Sequence, residues 1–371
     1  MNDKHIASLD GLRGIAILLV ILYHYFPHRG TGYLGYFFSA SWIGVDLFFV
    51  LSGFLITGIL FDTRGIKGFF RKFFARRALR LFPAYFLFVC MTLLIARGFG
   101  SHPRGETIAY LFYASNIVRF FDPGFMSIGP VDTGHLWSLA LEEQFYLIWP
   151  WIVAWLADRR RILRVCVAGS IAALILRLVL AKTSIPALAL YLELPTRADA
   201  LLMGGALAML WRDPQLKSRI RPKYVRLVGL LAVVGFLAIS YRVHSFYFGL
   251  LPIKSWGFSL VAIACAALLF LSITQGTWTQ RICSLSFFRF FGRYSYGIYL
   301  IHYAPHAFIR TRILPALAAR TSIAWLSELI VALVVLILST LLAVLSYHAV
   351  EKPFLKLKKL FEYTFPPRHE Q

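Results

Sequence analysis

Apolar residues run along this chain in long stretches broken by short basic connections, and the length of the stretches is the first thing they determine. They lie near Leu9 to Phe26, Ser41 to Phe61, Leu81 to Ala96, Leu136 to Leu156, Val165 to Ala181, Arg197 to Trp211, Leu227 to Tyr241, Ser255 to Thr274, Tyr294 to Ile309 and Ile323 to His348. Several reach the roughly 18 to 20 residues that cross a bilayer core at about 1.5 Å per residue. The pattern predicts an all-α, polytopic membrane bundle of about ten transmembrane helices. A further segment, Ile108 to Phe121, is shorter and contains Asn116 and Arg119, so it is read as a non-spanning piece on the outer side.

The basic connections orient the bundle. Arg64 to Arg80, Arg159 to Arg164, Arg212 to Arg226, Arg281 to Arg293 and the tail Lys352 to Lys359 hold most of the lysines and arginines. With ten spans and a cytoplasmic N-terminus, all five fall on the cytoplasmic side, as the positive-inside rule requires. Both termini are then cytoplasmic, with residues 1–355 as the membrane domain and 356–371 as a short basic tail. Gly14 to Tyr23 is no signal peptide, because a basic leader is missing and His24, Tyr25, Phe26, Pro27 and His28 stand where small residues should permit cleavage. No repeat period is visible, and no soluble catalytic domain is expected after the last span.

Composition agrees with this. In 371 residues, 59% are hydrophobic and 15% charged, with mean hydropathy +0.68, which is too apolar for a soluble domain. The formal net charge of +22 would suggest nucleic acid in a soluble protein. Here its distribution makes it a topology signal, and no nucleic-acid partner is expected. The four cysteines form no CxxC or Cys/His cluster, so neither a disulfide framework nor a metal site is read.

Function is sought where ionisable residues enter the spans, because such groups are costly in lipid and face the bundle interior. Arg13 and His24 are eleven residues apart, about 20° past three full turns, so they share one helix face roughly 16 Å apart along the axis. The alternative is that Asp10 caps the helix and Arg13 snorkels to the headgroups. In the string His135 to Tyr146, Glu142 and Glu143 point about 100° apart, so one faces the bundle centre, near the expected depth of His24. In the connection Arg71 to Pro83, Arg76 and Arg80 are i,i+4 partners that form a fork suited to phosphate, or an anchor for anionic lipid. Asp46, Arg197, Asp199, His302 and Glu351 form a looser group. Arg197 and Asp199 are expected to pair structurally at a helix end, and a histidine such as His302 in an apolar span is more often a satisfied bundle residue than a catalyst.

Taken together, these strings resemble the integral-membrane acyltransferase family three, the O-acyltransferases of bacterial surface sugars, from Leu9 to Pro353. The motifs are arginine followed eleven residues later by histidine; Leu47 to Phe54, which includes Ser52; the arginine-rich segment ending in Pro83; Trp137-Ser138-Leu139 with Glu142, Gln144 and Tyr146; Ser295 to His302; and Glu351-Lys352-Pro353. The resemblance implies transfer of an acyl group, usually acetyl, from cytoplasmic acyl-CoA to a sugar hydroxyl, in the bacterial cytoplasmic (inner) membrane. It matches Arg13 and His24 to the family's essential pair, Glu142 to its carboxylate, and Arg76, Arg77 and Arg80 to the segment that meets CoA. Asp10, Asp46, Ser52, Gln144, Tyr146, Arg197, Asp199 and His302 are supporting positions. Some family members carry an extra span and a periplasmic esterase-like domain, neither of which is expected here.

The mechanism expected is general-base catalysis by His24 on the acceptor hydroxyl, with Glu142 or another carboxylate orienting the imidazole and an arginine steadying negative charge. A variant acylates His24 itself. The expected partners are membrane lipids, acyl-CoA as co-substrate with no permanently bound cofactor, and a sugar, glycan or lipid-linked sugar, with lipopolysaccharide or exopolysaccharide as acceptor classes. The competing reading is a proton-coupled transporter or flippase of a lipid-linked sugar, which would use the same residue types; a scaffold is a weaker third. Tyr33, Tyr36, Phe37, Phe38 and Trp42 would suit stacking on sugar rings.

Overall fold

The computed structural model describes residues 6–26, 35, 38–101, 107–122, 124–183, 185, 187–321 and 324–364. Tyr33, Tyr36, Phe37 and tail residues 365–371 lie outside them. Among the described residues the chain is helical almost throughout, apart from a two-residue hairpin, Ser127–Ile128 paired antiparallel with Val131–Asp132.

The principal helices are α1 (Ala7–Tyr25), α2 (Ile43–Thr63), α3 (Phe69–Gly98), α4 (Trp137–Leu156), α5 (Arg159–Leu180), α6 (Leu194–Trp211), α7 (Pro222–Arg242), α8 (Phe258–Ile273), α9 (Ser286–Ile301) and α10 (Ala324–Ser346). Seven of these, α1, α2, α3, α5, α7, α8 and α10, are long and apolar enough to cross a membrane. The other three occupy expected positions but depart from that pattern for visible reasons. Helix α4 carries Glu142 and Glu143, α6 carries Arg197 and Asp199, and α9 has only 16 residues. The region 108–121 forms two short helices, Thr107–Leu111 and Ser115–Phe121, separated near Tyr113 at φ 51°. Neither is long enough to span.

One expectation is corrected. The stretch Arg71 to Pro83 is no loop: it is the first half of α3, which runs unbroken through Pro83. Arginine is a good helix former, and a proline is tolerated in such helices where neighbouring groups take up the freed carbonyl.

Two seams set the bundle centre. Helix α1 packs along α9, and α2 along α6. Both contacts are backbone to backbone. A Cβ at Gly14 would lie 1.9 Å from the Phe288 carbonyl oxygen, and one at Gly53 would lie 1.8 Å from that of Leu201. Small residues permit this approach where lipid provides no hydrophobic drive between helices.

The basic connections gather at one end. Arg212 pairs with Asp62 at 2.6 Å, Arg159 with Asp213 at 2.5 Å, and Arg76 donates to the Lys358 carbonyl at 3.2 Å. This is the end that the positive-inside rule led the sequence to expect on the cytoplasmic side.

The charges inside the bundle do not pair as expected. Arg197 and Asp199 are two residues apart and point to different sides of α6. Arg197 pairs instead with Asp46 of α2 at 2.8 Å, and Asp199 with Arg177 of α5 at 2.6 Å, all four fully or almost fully buried. Arg177 also donates to Ser259 at 2.5 Å and to the carbonyls of Ser255 and Thr196. Breaking a buried pair by removing one partner costs about 3–5 kcal/mol, whereas replacing both with apolar groups is often near neutral. Arg177→Met should therefore lower the thermal midpoint of the detergent-purified protein sharply, and adding Asp199→Leu should restore part of the loss. An unchanged midpoint in the single variant would show that the pair is not structural.

Candidate active site

Between α1, α2, α3, α4 and α9 lies a cavity of about 190 Å³, lined by Arg13, Ser52, Arg77, Arg80, Glu142 and Tyr146 among others. Arg13 reaches it from the first turns of α1 and is held by Asp10 at 2.7 Å. Asp10 is thus the ion-pair partner of Arg13, and no side chain caps α1. Arg77 and Arg80, three residues apart, share one face of α3. Arg77 lies over the Tyr146 ring at 4.0 Å, and its Nε is buried without a hydrogen-bond partner. The hydroxyls of Ser52 and Tyr146 meet each other and the Glu142 carboxylate, with Arg77 and Arg80 supplying opposite charge. With Asp10 balancing Arg13, the guanidinium groups of Arg77 and Arg80 outnumber Glu142, the carboxylate that lines the cavity with them. Such a cavity suits an anionic guest carrying phosphates.

Arg76 faces elsewhere. Its guanidinium donates to the carbonyls of Lys358 and Phe361 and sits 5.2 Å from the Tyr363 ring, so it fastens the tail to α3. The fork that faces the cavity is made by Arg77 and Arg80, not by Arg76 and Arg80.

At the other end of α1, His24 meets residues from two distant segments. Its ring centroid lies 5.1 Å from that of His302, 4.6 Å from Tyr303 and 6.1 Å from His306. His135, just before α4, lies 5.2 Å from His302. The hydrogen bonds fix the tautomers. His24 Nδ1 is 2.8 Å from the Val20 carbonyl and His302 Nδ1 is 2.8 Å from that of Tyr299, and a carbonyl only accepts. Both rings therefore carry hydrogen on Nδ1 and a lone pair on Nε2. The His302 Nε2 is 3.4 Å from His24 Nδ1, where it acts as a second, longer acceptor for the same N–H. The His24 Nε2 is left as the basic nitrogen.

Glu142 does not orient the His24 imidazole as expected. It lies seven residues, roughly 10 Å along the helix, from His135, and it faces the arginine cavity. The Val20 carbonyl and His302 hold His24 instead. Gln144 bonds to Asn116 at 2.8 Å and to the Tyr113 carbonyl at 3.2 Å, anchoring the short outer helices rather than lining the cavity. Trp42 is fully buried and donates to the Phe246 carbonyl at 2.9 Å, so it offers no face to a sugar. Phe38 packs on Phe26 at 4.0 Å between ring centroids.

Tyr299 and Ser138 separate the two halves. Both line the cavity, their hydroxyls meet at 2.5 Å, and Tyr299 also donates to the His135 carbonyl at 3.1 Å. The Tyr299 ring lies 5.4 Å from both His135 and His302. Beyond the histidines, the hairpin holds the segment after α9: Asp132 accepts from the Ala307 N–H, and its own N–H donates to the Ala304 carbonyl at 3.1 Å. Burial raises the Asp132 carboxyl above its ordinary range, with the Ala307 N–H opposing.

Sequence reasoning singled out neither His135, His306, Tyr299 nor Tyr303. His135 and His306 each sit within one turn of the predicted outer end of a span, which is the signal they offered, whereas Tyr299 and Tyr303 lie ten and six residues inside the predicted ninth span.

A family model for an acyltransferase domain, Acyl_transf_3, matches residues 6–348. The chain is 34% identical to the putative peptidoglycan O-acetyltransferase YrhL of Bacillus subtilis, covering 95% of this chain and 55% of the relative. It is 31% identical to the peptidoglycan O-acetyltransferase OatA of Listeria monocytogenes, covering 96% and 56%. It is 28% identical to the O-acetyltransferase OatA of Staphylococcus aureus, covering 99% and 60%. The chain thus spans somewhat over half the length of these relatives. No solved structure matches.

Proposed function

Because the chain belongs to the Acyl_transf_3 acyltransferase family, we propose that it is a membrane O-acetyltransferase that takes acetyl from acyl-CoA at its basic end and delivers it to a glycan hydroxyl at the other. The observation that carries this reading is the arrangement along α1: Arg13 lies in a cation-rich cavity at one end, and His24 with a free Nε2 lone pair lies at the other. The relatives named as peptidoglycan O-acetyltransferases make a peptidoglycan-type sugar the acceptor class to test first.

In this reading the CoA phosphates meet Arg77 and Arg80, Arg13 lies along the pantetheine path, and the thioester advances toward Tyr299. Tyr299 must swing aside for the carbonyl carbon to come near His24. The acceptor hydroxyl oxygen then attacks that carbon while His24 Nε2 takes its proton. As the tetrahedral intermediate collapses, the C–S bond breaks and CoA leaves as thiolate, to be protonated from His24 or water. His302 Nε2 accepts from the Nδ1–H of the transient imidazolium, the position a carboxylate fills in other acid–base sites.

The test is release of free CoA by purified protein given acetyl-CoA, with and without a soluble glycan fragment. The reading predicts release that depends on the glycan and labels it. A carrier of lipid-linked sugar would release none under either condition.

A further inference from the structure

A second cavity lies away from the arginine site, between α1, α7, α8 and the start of α2. It measures about 510 Å³, and Leu19, Ser41, Leu237, Phe246 and Ala264 are among its lining residues. Its walls are apolar apart from Ser41 at one end, and among the described residues Arg226 is the only charged one that lines it. On α7 the lining runs from Arg226 to Leu237, eleven residues or roughly 16 Å. That is close to the depth of one leaflet, half of a hydrocarbon core about 30 Å thick.

The direction of the groove is fixed by its ends. Arg226 follows the basic connection that Arg212 ties to Asp62, so it lies at the basic end of the bundle. Phe246 and Ser41 lie at the far end, where Trp42 donates to the Phe246 carbonyl. Helix α7 is also the least embedded of the seven apolar helices, with 17% of its apolar window buried. Among the described residues Arg226 makes no ion pair or hydrogen bond and is exposed, and Arg221 and Lys223 are exposed beside it.

We propose that this groove is a lipid site that takes one acyl chain of an anionic phospholipid from the basic-end leaflet, with its phosphate on Arg226. Charge and shape both select this occupant. A guanidinium at headgroup level offers a phosphate a directional partner, and a groove one leaflet deep with no polar wall accepts an acyl chain. The seated chain would brace α7 against α1, the helix that carries Arg13 and His24. The site is independent of the acyl-transfer reading, since no residue lines both this groove and the arginine cavity.

Native mass spectrometry of the full chain in detergent tests it, with phosphatidylglycerol and phosphatidylcholine of equal chain length as probes. The first adduct should be saturable and should favour phosphatidylglycerol by about fivefold, the effect of one basic residue near a lipid phosphate. Arg226→Ala should abolish that preference. Ala264→Trp, which fills the groove, should weaken the first adduct of both lipids about tenfold, a penalty typical of overpacking. Leu237→Trp, from the opposite wall, replaces it if the first filler fails to fold. The proposal is overturned if the two lipids bind wild-type protein equally, if the filled variants bind as wild type does, or if a polyprenyl phosphate displaces phosphatidylglycerol at equimolar amount.

Discussion

Replacing His24 by alanine is expected to lower glycan-dependent acyl transfer by about 10²–10⁴-fold, the range that a positioned general base contributes. The ring is only partly buried, and its protein hydrogen bonds run to the Val20 carbonyl of its own helix and, more weakly, to His302. Its loss therefore removes chemistry more than packing, and the variant should reach normal expression with an unchanged thermal midpoint. His24→Gln is the useful companion, because it fills similar space and bonds to Val20 but offers no basic nitrogen. It should be as inactive as His24→Ala. Changes at His302 act through His24: His302→Gln, whose side chain retains an acceptor, should be milder than His302→Ala and should affect kcat rather than the KM for acetyl-CoA. Near-normal transfer by His24→Ala would remove the general base from this account.

The second large effect distinguishes neighbouring arginines. Arg80→Ala should raise the KM for acetyl-CoA by about 10- to 100-fold, since a hydrogen bond to a charged group contributes about 1.5–3 kcal/mol. Arg77→Ala should behave similarly, because Arg77 lines the same cavity and its Nε is buried without a partner in the protein. Arg76→Ala should change KM by less than about fivefold, since it loses long bonds to two tail carbonyls and a contact with the Tyr363 ring, none of them in the cavity. A family motif alone would treat the three alike, so equal effects at all three would contradict the cavity as the donor site. Steady-state kinetics on the three variants at matched expression settle the point.

Why some of this was legible in the sequence follows from what lipid enforces. Long apolar runs and basic connections revealed the helical bundle, because backbone polar groups in lipid must bond within a helix. The spacing of Arg13 and His24 needed only helical geometry. The arginine-rich segment before Pro83 misled because charge and proline both suggest a connection, whereas in the structure it is the first half of α3. Arg197 and Asp199 misled because nearness in sequence was taken for a pair, and their true partners, Asp46 and Arg177, come from other helices. Arg177 could have been found, since an arginine in the middle of an apolar span demands a partner. Glu142 was placed with His24 by counting depth alone, and the count could not show that α4 turns this carboxylate toward α3 and its arginines. The histidine cluster was illegible because His135, His302 and His306 are joined only by the packing of α4 and α9 around the end of α1.

The account rests on donor and acceptor meeting α1 from opposite ends, and sided proteoliposomes test that most directly. With the protein oriented uniformly, labelled acetyl-CoA would be supplied on one face and an impermeant glycan fragment on the other. The account predicts labelled glycan only when acetyl-CoA is on the face of Arg77 and Arg80 and the glycan is on the face of His24. Equal labelling with the two substrates exchanged would contradict it.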